Sequence, residues 1–255
     1  MLPGARVSHL VYSFWEFSVA PDLTQPVTHE VFPDGCVSIF YYRNERKNFS
    51  MLGLNGLTLE LFKTEVFPGD TYWSARFSPA ANRAVLQANP ADFTTQSSFD
   101  EKFLPHLTEG LLKELDECRN FHQATAVYEK RFAALDITIE SLDAKVVEAV
   151  RLIASTKDEI KIAEIAESLN LSARQLQRSF LHATGLTPKQ FARVRRLRRA
   201  AIKFVNDKES KLADCAAEFG FTDQAHLSRE CASLTGRSPK SFTEKARQIE
   251  HGNLI

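Results

Sequence analysis

Two short segments of the chain carry polar side chains of the kind that recognise base pairs in DNA. An arginine can donate two hydrogen bonds to the edge of guanine, a glutamine pairs well with adenine, and an alanine can touch the methyl group of thymine. The candidate base-reading residues are Arg174, Gln175, Gln177 and Arg178 in the first segment and Gln224, Ala225, Ser228 and Arg229 in the second.

The two segments belong to an internal repeat. The stretch LSARQLQRSFLHATG, Leu171–Gly185, returns as FTDQAHLSRECASLTG, Phe221–Gly236, and Arg178 then matches Arg229 at an offset of 51 residues. Each copy predicts a short helix, a tight turn and a second helix, which is the helix-turn-helix layout of many DNA-binding proteins. A single copy is equally compatible with a helical hairpin that has a solvated polar face. Two copies with arginine at the same position favour DNA reading.

Turn and cap residues support this prediction in both copies. Asn170 and Gly220 tolerate the positive φ angle that a tight turn between helices requires. Ser172 and Asp223 can accept hydrogen bonds from the free backbone N–H groups of the helices that follow. We therefore expect the two recognition helices to begin near Ser172 and Asp223.

A basic segment connects the two copies. It runs from Thr187 to Asn206, and between Glu167 and Asp207 the chain has nine basic residues and no acidic one. A helix of about 18 residues spans roughly 27 Å, so it can hold two reading units near successive major grooves about 34 Å apart. Its cations are then available to phosphates. The candidate phosphate-binding residues are Ser172, Lys189, Arg193, Arg195, Arg196 and Lys240.

Charge and composition divide the chain into two parts. Residues 1–156 carry 14 basic and 20 acidic side chains, a net charge of −6, whereas residues 157–255 carry 18 and 12, a net charge of +6. The first hundred residues are rich in Val, Phe, Tyr and Thr with partial alternation, which predicts several short strands. Amphipathic helices follow, and Ser141 is the predicted N-cap of one of them.

The predicted fold class is therefore α+β with two domains. Residues 1–140 are expected to form a β-rich barrel or sandwich with helices. Residues 141–255 are expected to form an all-α domain in which a long helix joins two helix-turn-helix units. The basic second domain is the part that suits an anionic partner such as double-stranded DNA.

Residues 145–247 resemble the DNA-binding region of the AraC/XylS family of bacterial transcription regulators. The matching motifs are IAEIAESLNLSARQLQRSF, GLTPKQFARVRRLRRA and AAEFGFTDQAHLSRECASLTGRSPKSF. The resemblance implies a seven-helix domain, a sequence-specific regulator of transcription, and double-stranded DNA and RNA polymerase as partners. Cys231 departs from the family, which usually has Phe there, and Ala225 weakens the polar readout of the second unit.

The N-terminal segments HEVFPDGCVSIFYY and FPGDTYWSARFSPAANRAVLQANPADF resemble an uncharacterised β-rich domain found ahead of AraC-type readers. That resemblance implies a sensor or a homodimer contact. Family sensor domains are often barrels that hold a small-molecule effector. The candidate effector-binding residues are Tyr12, Trp15, Tyr41, Tyr72, Trp73 and Arg76.

Two other functions stay open. One is a DNA-repair methyl acceptor fused to a regulator, with Cys36 as the acceptor; the other is a constitutive DNA-binding protein without a ligand. We find no nucleophile–base pair, phosphate-binding loop or metal-ligand spacing, so we expect no enzyme, no cofactor and no metal site. No apolar run approaches the roughly 20 residues of a membrane span, and no signal peptide is evident. We therefore expect a cytoplasmic protein that binds no membrane.

Overall fold

The computed structural model describes residues 1–94, 96–99, 103–156, 161–207 and 211–248. The N-terminal strands are β1 Val11–Ser18, β2 Val27–Val31, β3 Ser38–Asn44, β4 Phe49–Asn55, β5 Phe62–Val66, β6 Asp70–Phe77 and β7 Gln96–Phe99. Five of them form an antiparallel sheet in the order β1-β6-β3-β4-β7, while β2 and β5 form a separate antiparallel ribbon. The strands therefore make two sheets, as expected for a β-rich half.

The two faces of the larger sheet have different coverings. Glu16 and Tyr41 lie opposite Trp73 in the ladders and share its face. On this face the Tyr128 hydroxyl donates to the backbone oxygen of Trp73 at 2.9 Å. The opposite face meets the ribbon, where the ring of His29 stacks on Phe17 with centroids 4.3 Å apart.

Helices account for most of the other regular structure in the described chain. The N-terminal half adds α1 Asn82–Leu86, α2 Pro105–Thr108, α3 Leu111–Asp116 and α4 Phe121–Ala133. The C-terminal part consists of α5 Ala144–Ser155, α6 Ile162–Ser168, α7 Ala173–Thr184, α8 Pro188–Asn206, α9 Leu212–Glu218, α10 Gln224–Thr235 and α11 Pro239–Gln248. These seven helices over the described residues confirm the expected all-α part and the α+β class. No helix in the described ranges is long and apolar enough to cross a membrane.

The start of α5 differs from the prediction. Asp143 caps this helix, because its Oδ1 accepts hydrogen bonds from the backbone N–H groups of Lys145 at 3.0 Å and Val146 at 3.3 Å. Ser141 ends a short 3₁₀ turn instead. Both residues are good cap formers, and the backbone path into the helix decides between them. The predicted division at residue 140 falls in this link between α4 and α5 and stays a prediction.

Two hydrophobic cores pack the described chain. The larger one begins in the sheet and continues without a break into the first helix-turn-helix unit, where Leu176, Phe180 and Phe191 belong to it. The smaller one surrounds the second unit, and it includes Phe32 from the N-terminal half. The N-terminal half therefore packs against both units.

Candidate nucleic-acid interface

The two interhelical turns have the same geometry. In α6–α7 the N–H of Leu171 donates to the backbone oxygen of Ala166 at 2.8 Å, and in α9–α10 the N–H of Phe221 donates to that of Ala216 at 2.9 Å. The residues that reverse the chain have φ angles of 53° at Asn170 and 65° at Gly220. The prediction of a positive φ at both positions is confirmed.

Both recognition helices begin at the predicted caps. The Ser172 hydroxyl accepts from the N–H of Gln175 at 3.3 Å, and Oε1 of Gln175 accepts from the N–H of Ser172 at 2.8 Å, which completes a capping box. In α10 the Asp223 carboxylate accepts from the N–H of His226 at 2.6 Å. Gln175, a candidate base reader, is thus also bonded to the start of its own helix.

Most candidate base-reading side chains face solvent. Arg174, Gln177 and Arg178 are exposed on α7, while Leu176 beside them is fully buried. On α10 the matching Leu227 is buried. The remaining candidates divide as follows: Gln175, Gln224, Ala225 and Arg229 are exposed, and Ser228 is half-buried with its hydroxyl donating to the backbone oxygen of Gln224. Both helices therefore present a polar outer face that a DNA groove can reach, although contact with bases stays a prediction.

The candidate phosphate-binding residues fall into two groups. Ser172, Lys189 and Lys240 are exposed. The three candidate arginines, all of which lie in α8, have protein partners instead. Arg193 Nε donates to Glu230 at 2.5 Å, Arg195 Nη2 donates to the Tyr12 hydroxyl at 2.8 Å, and Arg196 Nη1 donates to the backbone oxygen of Gly220 at 3.2 Å.

The reason for this division is the position of α8. Its middle lies between the N-terminal half on one side and the second helix-turn-helix unit on the other. In this conformation Arg193, Arg195 and Arg196 bond to other parts of the protein, whereas Lys189 and Lys240 face solvent. Phosphate contact stays a prediction for all of them. Sequence reasoning treated every cation of this helix as solvent-facing because no short-range pattern signals a partner far along the chain.

The candidate effector-binding residues lie in separate places. Tyr41 and Trp73 are each only 1% exposed. The Tyr41 hydroxyl donates to Asp116 at 2.7 Å, and Trp73 Nε1 donates to Glu16 at 2.8 Å. Strand alternation puts Tyr72 on the opposite face of the sheet, beside the ribbon.

The other three candidates lie toward α8. Tyr12 contacts Arg195, and the Arg76 guanidinium lies 6.0 Å from the centroid of the Trp15 ring. The structure thus does not bring the six residues together around one cavity. A period of two sends neighbouring aromatic residues of one strand to opposite faces, and their grouping by residue type alone overlooked this.

An open groove lies beside Trp73, between the sheet and the start of α4. It has a volume of about 620 Å³, and the residues that line it include Glu16, Arg43, Arg119 and His122. The Arg43 guanidinium lies over the Trp73 ring, 4.4 Å from its centroid. Arg43 Nε is buried without a hydrogen-bond partner among the described residues. Sequence reasoning missed this arginine because a single cation in a strand carries no motif.

Cys36 lacks the environment of a reactive thiol. It is buried in the turn after β2, and burial, followed by the nearby Asp34 carboxylate, raises the pKa of its thiol to about 12. The nucleophile in alkyl transfer is the thiolate, which hardly forms at neutral pH with such a pKa. This environment disfavours the methyl-acceptor hypothesis. Within the described ranges, no group of three or more His, Cys, Asp or Glu side chains is arranged to hold a metal ion.

Two helix-turn-helix units with exposed polar recognition helices, joined by one long helix, are the architecture of a helix-turn-helix DNA-binding protein. A model of a helix-turn-helix domain family matches residues 165–245, and a model of a domain of unknown function, DUF6597, matches residues 1–98. The chain belongs to the AraC/XylS family of transcription regulators. The N-terminal match confirms that a domain of uncharacterised type precedes the reader.

Two relatives match the C-terminal part. The chain is 35% identical over 85 residues to a Proteus vulgaris protein named "Probable transcription factor PqrA", covering 33% of this chain and 69% of that protein. It is 33% identical over 95 residues to the HTH-type transcriptional regulator RipA of Corynebacterium diphtheriae, covering 37% of this chain. The chain spans 28% of the length of RipA.

Two solved structures show a looser likeness. ToxT from Vibrio cholerae O395 is 11% identical, with 91% of this chain and 96% of that chain covered and a TM-score of 0.46. A transcriptional regulator with an AraC-type DNA-binding domain from Chromobacterium violaceum is 23% identical, with 42% of this chain and 93% of that chain covered and a TM-score of 0.37.

Proposed function

We propose that this transcription regulator reads two neighbouring DNA half-sites with α7 and α10 and that a small effector bound to its N-terminal half controls it. The observation that carries the first part is the matched exposure of Arg178 and Arg229, 51 residues apart, on two helices with the same turn geometry. Exposed cations around them, among them Arg174, Lys189 and Lys240, suit the phosphates on either side of a groove.

Selection from random double-stranded DNA with the full chain tests the reading role. We expect enrichment of a sequence with two short conserved blocks about 10 base pairs apart, which is one turn of the double helix. Fluorescence anisotropy of the enriched DNA should then give log K linear in log salt, with a slope at least as steep as about −3 if several cations meet phosphates. A flat salt dependence, or no enrichment, would refute the DNA-reading role.

The groove beside Arg43 is the proposed effector site. Two arginines line the groove together with one glutamate, and Phe121 adds apolar surface, so a small anion with an aromatic or apolar portion suits it. Mass spectrometry of the gently purified protein should detect a retained molecule of this kind. Its addition should raise the melting temperature of the unliganded protein but not that of Arg43→Gln. Equal shifts in both proteins would place the ligand elsewhere.

A regulator without any effector is the second candidate. It is favoured by the burial of Tyr41 and Trp73, because side chains that are each only 1% exposed leave little surface for a ligand to contact. The absence of ligand-dependent stabilisation across a metabolite collection would support it.

We further propose RNA polymerase and a second copy of the chain as partners, and a cytoplasmic site of action. Sedimentation of the full chain with and without DNA tests the dimer.

A further inference from the structure

The ribbon of β2 and β5, together with the residue just before β5, contacts the second helix-turn-helix unit. The Glu30 carboxylate, only 4% exposed, forms an ion pair with Arg237, which follows α10, and lies 3.9 Å from Lys63 of the neighbouring strand. The N–H of Leu61 donates to the backbone oxygen of Leu234 at 2.7 Å. A buried carboxylate is costly without a partner, so Glu30 needs a cation such as Arg237 beside it for as long as it stays buried.

The turn that follows β2 completes the contact. Phe32 packs on Phe242 of α11 with ring centroids 4.9 Å apart, and it belongs to the small core of the second unit. Three residues later, Gly35 has a φ angle of 74°, and a Cβ added to it would lie 2.8 Å from Cδ2 of Phe191 in α8. Backbone and ring are thus in close contact where the turn meets the long helix.

Asp34, between Phe32 and Gly35, faces a group of arginines. Its Oδ2 accepts from Arg76 Nε at 2.6 Å, and its carboxylate also interacts with Arg195 and Arg198 of α8. Burial alone raises the pKa of a carboxyl group, but Arg76 and then Arg198 hold the pKa of Asp34 below its ordinary value. Burial, followed by Arg76, lowers the pKa of Arg198 to about 10, which leaves it charged at neutral pH. The carboxylate therefore offsets repulsion among three cations.

The first unit docks on a different part of the N-terminal half. Asn82 Nδ2 of α1 donates to the backbone oxygen of Thr184, at the end of α7, at 3.0 Å. A Cβ added to Gly185 would lie 2.4 Å from Leu57 Cδ1 and 2.8 Å from Pro90 Cβ. The two units are thus held by two separate surfaces of one sheet-based body, in addition to the long helix between them.

We propose that the N-terminal half sets the separation and rotation of the two recognition helices, and with them the half-site spacing that the protein accepts. Glu30, Phe32 and Asp34, which we call the clamp, are the positioning residues. The link to half-site spacing rests on the proposed DNA-reading function, whereas the link to helix separation does not. Helix α8 meets the second unit through Leu197, Ala200 and Ala201 in the small core and through the hydrogen bonds of Arg193 and Arg196. The clamp adds contacts from the N-terminal half on another side of that unit.

A distance measurement without DNA tests the mechanical part. Leu181 and Ala232 occupy matching exposed positions on α7 and α10, and all four native cysteines are buried. Spin labels on Leu181→Cys and Ala232→Cys should give one narrow distance distribution by pulsed electron resonance. Glu30→Gln and Asp34→Asn should each broaden or shift it. Lys63→Gln is the matched control, since it removes a charge from the ribbon but leaves the pair of Glu30 with Arg237. Identical distributions in all four proteins would overturn the proposal.

A spacing series on the enriched DNA tests the functional part. One inserted base pair separates the half-sites by a further 3.4 Å or so, and the unmodified chain and Lys63→Gln should lose about tenfold in affinity, the effect of one mismatched contact. On the same insertion, Glu30→Gln and Asp34→Asn should lose clearly less affinity than the unmodified chain does. An unchanged profile, or an equal gain at every spacing, would contradict the positioning role. If no DNA is enriched, the DNA-reading proposal fails while the distance measurement still decides on the clamp. Each clamp variant is first checked for a native near-ultraviolet circular dichroism spectrum, and either one that folds suffices.

Discussion

The two helix-turn-helix units have the same local structure but are held in the molecule by different means. The first shares its core with the N-terminal sheet, and residues of the N-terminal half pack closely around its Gly185. The second has a small core of its own, and its contacts with the N-terminal half include the ion pair of Glu30 with Arg237. At the matching Gly236, a Cβ added to the backbone would meet no described atom within 4 Å. A repeat therefore encodes a local fold without encoding its environment.

The same lesson applies to the departure at Cys231. The matching residue in the first unit, Phe180, is buried and packs on Phe191 with centroids 5.7 Å apart. Cys231 is also buried but much smaller, and its Sγ lies 3.6 Å from the Thr235 hydroxyl. Phe32 adds an aromatic ring to this core from the N-terminal half. The second unit thus draws part of its core from outside the repeat.

The largest expected difference between the units concerns their matching glycines. Gly185→Ala and Gly236→Ala both force a Cβ into a left-handed backbone conformation, with φ angles of 82° and 68°, at a cost of about 1–2 kcal/mol. Only Gly185→Ala also collides with Leu57 and Pro90, which adds roughly 1–3 kcal/mol of overpacking. Urea unfolding of the full chain measures both losses. Equal losses of unfolding free energy in the two variants would mean that Leu57 and Pro90 move aside at no cost when a Cβ is added at Gly185.

Substitution of the matching arginines tests whether the units read DNA alike. Arg178→Ala and Arg229→Ala should each lose about 1–3 kcal/mol on the selected DNA and relax specificity in a different half-site. Selection from random DNA with each variant shows which positions change. Lys189→Ala is the control, because loss of a phosphate contact should weaken all sequences about evenly. If both arginine variants change the same positions, or none, α10 does not act as a second reader.

The helix caps test the feature in which the units are alike. Ser172→Ala and Asp223→Ala each remove a side chain that accepts from the first turn of a recognition helix, so each should lose about 0.5–2 kcal/mol of stability. The two values should agree much better than those of the glycine pair. Thermal unfolding monitored by circular dichroism is sufficient. If only one of the two variants loses stability, the start of the helix in the unaffected unit is held by tertiary contacts instead of by its cap.

The smallest expected effect concerns pH: acid should weaken the contacts of the Asp34 carboxylate with its arginines, but not the contact of Asn82 with Thr184. Because the folded state lowers the pKa of Asp34 from its ordinary 3.8, the stability it contributes is present above that value and is lost as the pH falls through the lowered pKa. The difference in melting temperature between the unmodified chain and Asp34→Asn should therefore shrink from neutral pH to pH of about 3. The contact of Asn82 with Thr184 does not titrate. A difference that stays constant with pH would show that the charge of Asp34 contributes nothing.

Several features of the reader were predictable because they depend on residues a few positions apart. The cap of α7 joins Ser172 to Gln175, and the turn before it needs only Asn170 in a left-handed conformation. Polar and apolar residues alternate with the period of a helix, so the outward direction of Arg178 also followed. The start of α5 shows the limit even of local signals, since Ser141 and Asp143 are both good caps and the chain path selects the second.

The amino-acid sequence by itself determined the repeat, the helix starts, the charge division and the identity of the family, because each depends on short-range spacing. Only the tertiary structure decided which cations are free to meet DNA and what holds the second unit. Arg195 meets Tyr12 across 183 residues, and Arg237 meets Glu30 across 207. Contacts at such separations depend on how whole sheets and helices pack, and one sequence carries no local signal for that packing.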